Sequence, residues 1–289
     1  MKSTGRAGPD FICIGAQKAG TTWLYDQLIH HPEVWLPVIK ELHYFNFAKP
    51  HPELAGVEGY PWGGPFDRMR FLKTRPTIET FNWLVRYNFM PKGPEWYRNL
   101  FPIKVNRARG EMTPAYSTLD RAGVEFVHST VPKHCKVFLI LRDPIERAWS
   151  GLKMNYRWRG EQLDEDIASL RQELLKPSNR IRSAYASIIP LWESYFEGRF
   201  KVFFYDNLVA NPEAFLQSIC RYLEIDETWQ SPVLDTRSNA DNKNINIPSE
   251  LYESLLDVVE QDLKFIRQRY GTSAPKWAYA SKEEYGTAK

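Results

Sequence analysis

The 289-residue sequence is poor in the features that mark several protein classes. Its three cysteines, Cys13, Cys135 and Cys220, lie far apart and lack the paired spacing of a metal site. A disulfide framework is therefore not expected, and Cys13, set in an apolar run, reads as a buried reduced thiol. No stretch approaches the roughly 20 apolar residues that cross a bilayer. Met1 to Asp10 carries Lys2 and Arg6 without a following apolar segment of leader length. Neither sign of charge dominates, since 38 basic and 35 acidic residues leave a formal net charge of +3. That balance argues against broad nucleic-acid binding. HExxH and CxxC signatures are also missing, so no metal is expected. Together these absences predict a cytoplasmic protein with no transmembrane segment and no nucleic-acid partner.

Aromatic residues are abundant instead: 10 Trp, 15 Tyr and 16 Phe make up 14% of the chain. They serve either a core of large side chains or a pocket for a flat or sugar-like ligand, and composition does not choose. The order of segments is more informative. Phe11 to Ile14, Val34 to Leu36, Lys136 to Leu141 and Lys201 to Tyr205 read as strands, the third continuously apolar after its lysine, as a central parallel strand is. Helical patterns lie between and after them, at 21–31, 145–159, 212–223 (capped by Asn211-Pro212) and 251–266 (stopped by Gly271). Alternation of this kind predicts an α/β protein, a P-loop-like three-layer fold with a central parallel sheet flanked by helices. One domain spans 1–289. An irregular stretch at about 47–101, rich in Pro, Gly and aromatics, interrupts it as an expected lid or binding insertion holding one helix at 77–88. A polar tail at 272–289 is expected to be flexible.

Two segments carry the chemistry. The first is Gly15-Ala16-Gln17-Lys18-Ala19-Gly20-Thr21-Thr22, between a strand and a helix. Backbone N–H groups at a helix start, with glycines allowing close approach, form an anion cradle. The nucleotide P-loop places its lysine directly after the second glycine. Here that position is Thr21 and the lysine comes earlier, at Lys18, which suits a donor with one 5′ anionic group cleaved nearby. The second segment is Arg142-Asp143-Pro144 and onward to Ser150, at the carboxyl end of the strongest strand, where ligands gather in open α/β sheets. Arg142 and Ser150 could hold a second anion; alternatively Arg142 pairs only with Asp143 or Glu146.

Taken together, these segments resemble the family of sulfotransferases that use 3′-phosphoadenosine 5′-phosphosulfate (PAPS). The resemblance runs from Phe11 to about Leu223 and includes Phe204-Tyr205-Asp206-Asn207-Leu208, which is similar to a later strand-end tyrosine motif. It implies PAPS as donor, with the 3′,5′-bisphosphate PAP as product. Gln17, Lys18, Ala19, Gly20, Thr21 and Thr22 would surround the 5′-phosphosulfate, Arg142 and Ser150 the 3′-phosphate, and Tyr205 and Trp23 the adenine. Lys243 in Asn242-Lys243-Asn244 is the nearest match to the family's basic loop over the 3′-phosphate. Lys40-Glu41-Leu42-His43-Tyr44-Phe45 is similar to the K-E-x-x-F-F segment of heparan-type carbohydrate sulfotransferases, making Glu41 the first candidate base and His43 the second. Gly110-Glu111-Met112-Thr113-Pro114-Ala115-Tyr116 resembles a further segment of that branch, with Met112 where a lysine is usual.

The implied reaction moves a sulfuryl group to a hydroxyl of a glycan, glycolipid or small-molecule acceptor, with Lys18 stabilising the leaving group. Tyr44, Phe45, Trp62, Phe66, Trp83, Tyr87 and Trp96 are the expected acceptor-gripping aromatics. Arg147, Lys153, Arg157 and Arg159 form either a solvated helix face or a face toward an acidic acceptor. Two other readings compete: a P-loop small-molecule kinase with Asp143 as its metal-holding carboxylate, and a catalytically silent nucleotide-binding protein.

Overall fold

A computed structural model describes residues 7–54, 76–103, 105–163, 166–236 and 246–280. Five strands lie parallel in the order β2 (Val34–Trp35), β3 (Ala108–Met112), β1 (Phe11–Cys13), β4 (Lys136–Leu141), β5 (Phe200–Phe204). β1 is fully buried, and β4 is buried from Val137 onward, because the sheet is covered on both sides. The α/β expectation holds, and the observed bounds of β4 are those read from its apolar run.

β3 has no counterpart in the apolar pattern, because it carries Arg109, Gly110 and Glu111. Each of these is accommodated inside. Asp10, at the amino end of β1, accepts hydrogen bonds from Arg109 N, Nε and Nη2 at 2.8–2.9 Å and from His134 Nε2 at 2.7 Å. Burial pushes the Asp10 carboxyl up, but Arg109 and His134 outweigh it and hold it below its ordinary value. Gly110 pairs with Phe11 in the adjacent strand, and a Cβ at Gly110 would lie 2.1 Å from the Phe11 ring. Only glycine lets that ring cross the sheet there.

Around the sheet lie α1 (Thr21–Leu28), α2 (Tyr44–Ala48), α3 (Ile78–Phe89), α4 (Pro94–Arg98), α5 (Arg121–Thr130), α6 (Pro144–Arg159), α7 (Ile167–Leu174), α8 (Pro177–Arg180), α9 (Tyr185–Tyr195), α10 (Tyr205–Ala210), α11 (Pro212–Leu223) and α12 (Ser249–Tyr270). Their starts follow capping chemistry: Asp120, Asp143 and Asn211 side chains accept the N–H groups of Gly123, Ile145 and Ala214. α6 stops at Gly160, in the left-handed region with φ 71. Beyond α12, the short turns Gly271–Ser273 and Lys276–Tyr279 return along the fold, with Trp277 buried and its indole N–H donating to Asp206 Oδ2 at 3.0 Å.

The aromatic excess is largely core. Tyr44 stacks on Tyr97 at 5.1 Å, Trp83 stacks on Tyr87 at 5.2 Å, and Phe45, Trp96 and Phe101 complete the group. Tyr44, Phe45, Trp83, Tyr87 and Trp96 are all buried. The expectation that these five line an open acceptor pocket is corrected: they fill the space between α2, α3 and α4. Trp62 and Phe66 lie outside the described residues.

Candidate active site

The loops that follow β1, β2, β3, β4 and β5 all leave the carboxyl edge of the sheet, so segments distant in sequence converge there. The loop after β1 is fixed between its neighbours: Ala16 N donates to Ile140 O at 2.8 Å, and Ile140 N donates to Gly15 O at 2.7 Å. Gly20 caps α1 with φ 81, a left-handed conformation. A Cβ there would lie 2.5 Å from Leu208 Cδ2 and 3.3 Å from the Tyr205 ring, so the absence of a side chain sets how closely α10 approaches. The first N–H groups of α1 have no intrahelical acceptor, and the helix dipole there would favour a negative charge.

Arg142, just past β4, joins three of the motifs. Its Nη1 donates to Lys18 O at 3.0 Å, its guanidinium lies 4.8 Å over the Tyr205 ring, and Nη2 pairs with Glu146 at 3.1 Å. Arg142 Nε is buried without a hydrogen-bond partner, a donor suited to an incoming anion. Lys18 has φ 69, and its Nζ lies 3.7 Å from Met154 Sδ on α6. Ser150 precedes Met154 by one turn on the same helix.

The segment after β2 brings the candidate base Glu41 to this edge. Glu41 Oε1 is 3.0 Å from Lys40 Nζ, and Oε2 is 3.2 Å from His43 Nε2. Lys40 Nζ also donates to Thr22 Oγ1 at 3.0 Å, tying this segment to the start of α1. Burial pushes the Glu41 carboxyl up, but the His43 contact and the Lys40 charge prevail and hold it at about 2. His43 Nδ1 lies 3.3 Å from Asn46 Oδ1. Gln17, Lys18, Ala19, Gly20, Thr21, Thr22, Glu41, His43, Arg142, Ser150 and Tyr205 thus occupy one edge of the molecule.

Other candidates sit elsewhere. Trp23 is buried against Phe215 and donates from Nε1 to Leu234 O at 3.2 Å, packing α1. Lys243 lies outside the described residues. Met112 is fully buried in β3, a core residue. Arg147 is also fully buried, bonded to Ser183 Oγ at 2.6 Å and Asn179 O at 2.9 Å, and so leaves the exposed basic face of α6. The Asp143 of the kinase reading is a helix cap, with Oδ1 on Ile145 N and Glu146 N and Oδ2 on Tyr252 OH. Burial pushes its carboxyl up to about 6. A cavity of about 300 Å³ lies between α6, α8 and α12, lined by Ile145, Ala148, Arg180, Val258 and Asp262 among others.

A glycine-capped helix start, a strand-end arginine stacked on a tyrosine and a carboxylate held by a lysine lie together at this edge of the sheet. A model of the sulfotransferase family matches residues 67–231, more than half of the chain, and the chain belongs to that family. It is similar to the membrane-associated sulfotransferase kil1 of Dictyostelium discoideum, 26% identical over 154 residues, covering 52% of this chain and 24% of that protein. It is also similar to the bifunctional heparan sulfate N-deacetylase/N-sulfotransferase 4 of Mus musculus, 27% identical over 206 residues, covering 65% of this chain and 19% of that protein. The chain therefore spans about a quarter or less of these curated relatives. In fold it matches a sulfotransferase from Alicyclobacillus acidocaldarius, with TM-score 0.61 and 19% identity over 97% of this chain and 99% of the other. A sulfotransferase domain from the curacin biosynthetic pathway follows with TM-score 0.55 and 16% identity over 84% of this chain and 82% of that domain. No helix among the described residues is long and apolar enough to cross a membrane.

Proposed function

We propose that this sulfotransferase takes its sulfuryl group from PAPS and delivers it to a hydroxyl of a glycan, glycolipid or small-molecule acceptor. The observation that carries the reading is the convergence of Arg142 on Lys18 and Tyr205 beside the open start of α1. The fit to the donor rests on the unpartnered Arg142 Nε and on the glycine that a Cβ would close. Residues 17–22 would hold the 5′-phosphosulfate, Arg142 and Ser150 the 3′-phosphate, and Tyr205 the adenine. PAPS supplies an activated sulfuryl group on a phosphate leaving group.

The chain's own part is electrostatic positioning and proton transfer. Lys18 meets the negative charge that develops on the leaving oxygen, as preorganised cations do in phosphoryl transfer. Glu41 is ionised across the neutral range and accepts the hydroxyl proton as the acceptor oxygen turns acidic during attack. His43 steadies the far carboxylate oxygen. Because Met112 is buried, the acceptor side gains no cation from that position, which favours an uncharged or modestly charged acceptor over a polyanion.

An acceptor panel incubated with PAPS and read by mass spectrometry tests this. The expected result is a sulfuryl adduct on a hydroxyl with one bisphosphate released per adduct. Adducts confined to amines, or transfer that proceeds from a nucleoside triphosphate instead, would overturn it.

A further inference from the structure

Glu111 is fully buried in β3, and the mechanism above leaves it without a task. Its carboxyl is ringed by hydroxyls: Tyr97 OH donates to Oε1, while Thr113 Oγ1 at 3.2 Å and Tyr116 OH at 3.4 Å reach Oε2. The last two hydroxyls also accept hydrogen bonds, Thr113 Oγ1 from Leu42 N at 3.0 Å and Tyr116 OH from Tyr44 N at 3.1 Å. A hydroxyl has one proton to give. Since each of these oxygens already receives a backbone N–H, its own proton is directed to Glu111. The chains of donation therefore run from the Leu42 and Tyr44 backbone, through two hydroxyls, to one carboxyl.

The two anchored N–H groups flank His43, and Leu42 O accepts from Tyr87 OH at 3.1 Å on the same stretch. His43 has φ 56, a left-handed conformation that a side chain rarely adopts and that its surroundings must impose. That turn sets His43 Nε2 against Glu41 Oε2.

We propose that Glu111 is the positioning residue of the Glu41–His43 pair, acting through Thr113 and Tyr116 on the backbone on either side of His43. The role rests on the reading of Glu41 as base, but the geometry it sets is measurable without that reading. Burial pushes the Glu111 carboxyl up to about 8 despite the hydroxyl bonds, while Oε2 accepts both bridges. A glutamine keeps the shape but can present an amide N–H₂ to hydroxyls whose protons already point inward, breaking the direction of donation.

Native-state hydrogen exchange on the whole chain tests this together with release of adenosine 3′,5′-bisphosphate from PAPS, water serving as acceptor. In Glu111→Gln, protection of the Leu42 and Tyr44 amides should fall about tenfold or more, with amides of β1 and β4 unchanged. Bisphosphate affinity should stay within about twofold, and the Glu41→Gln/Glu111→Gln double variant should be no slower than Glu41→Gln alone. Tyr116→Phe removes one bridge and should expose the Tyr44 amide while sparing Leu42, which keeps the test decisive if Glu111→Gln fails to fold. Unchanged protection at both amides in the glutamate variant, or at Tyr44 in Tyr116→Phe, would overturn the proposal. Should Glu41→Gln turn over normally, the base reading falls, yet the exchange result still decides the role of Glu111.

Discussion

Thr22 and Glu41 share one ammonium: Lys40 Nζ lies 3.0 Å from Thr22 Oγ1 and 3.0 Å from Glu41 Oε1. The start of α1 and the Glu41 carboxylate are thereby fixed to each other, although 19 positions separate Thr22 from Glu41 in the chain. Lys40→Met should cut turnover by about tenfold or more, because a positioned carboxylate loses its orientation as well as its counter-charge. It should also raise the Glu41 carboxyl toward the ordinary range, so an acid limb absent from the wild type appears in kcat/KM between pH 4 and 7. An unchanged profile would show that Lys40 does not act on Glu41.

Glu41→Gln removes the proposed proton acceptor while keeping the side-chain shape. Turnover should drop by roughly 100- to 10,000-fold, the range typical of positioned bases. Bisphosphate affinity, measured by calorimetry, should barely move. Loss of that affinity would reassign Glu41 to binding.

At the donor loop, Gly20→Ala must place a Cβ 2.5 Å from Leu208 Cδ2 in a left-handed conformation. The intrinsic strain alone is about 1–2 kcal/mol. Bisphosphate binding should weaken about tenfold or more. Double replacement with Leu208→Ala should recover only the steric part.

Glu111 should contribute to a pH dependence of stability alongside Asp143 and Asp262, whose carboxyls burial pushes up to about 6. The folded chain holds a proton up to about pH 8 that the unfolded chain releases near its ordinary value. This group's contribution is full below about pH 4.5 and is lost as pH rises to about 8, at up to about 1.4 kcal/mol per unit. The buried hydroxyls of Tyr97 and Tyr116 face it, and burial pushes both well up, so neither titrates in that window. Urea melts of Glu111→Gln should therefore show a flatter decline across pH 5–8 than the wild type. Parallel declines would contradict this.

Far from the site, Asp10→Asn strips the buried Arg109 of its carboxylate. Breaking a buried pair by removing one partner costs about 3–5 kcal/mol, which thermal or urea melts would register. Since Asp10 sits at the amino end of β1, opposite the anion loop, bisphosphate affinity should be retained once the variant is folded.

The parts of this molecule legible in the sequence are those whose pattern has one physical solution. Lys136 to Leu141 is apolar without interruption, and its strand bounds follow directly. The loop after β1 and the Arg142 segment stand out in the sequence as a glycine-rich turn after one strand and an arginine at the end of another, and the fold brings them together. β3 was not, since Arg109 and Glu111 look like surface residues until Asp10, Tyr97, Thr113 and Tyr116 are brought to them by the fold. The aromatic residues near Phe47–Phe101 were legible as a concentration but not as a core. Tyr44, Trp83 and Trp96 carry polar atoms and sit among prolines and glycines, a composition shared by pockets and by irregular packing. A small further signal for Glu111 was available in its neighbours, for Thr113 and Tyr116 place two hydroxyls within five residues of a carboxylate.

On the proposed reading, the loop after β1, Arg142 and Tyr205 hold a donor with separate 3′ and 5′ anionic groups. Titration calorimetry of the full chain with adenosine 3′,5′-bisphosphate and with ADP tests it most directly. The bisphosphate should bind at least about tenfold more tightly than ADP, and Arg142→Lys should erase most of that preference, because a lysine cannot reproduce the fork or the stacking. Equal or tighter binding of ADP, with the preference indifferent to Arg142, would contradict it.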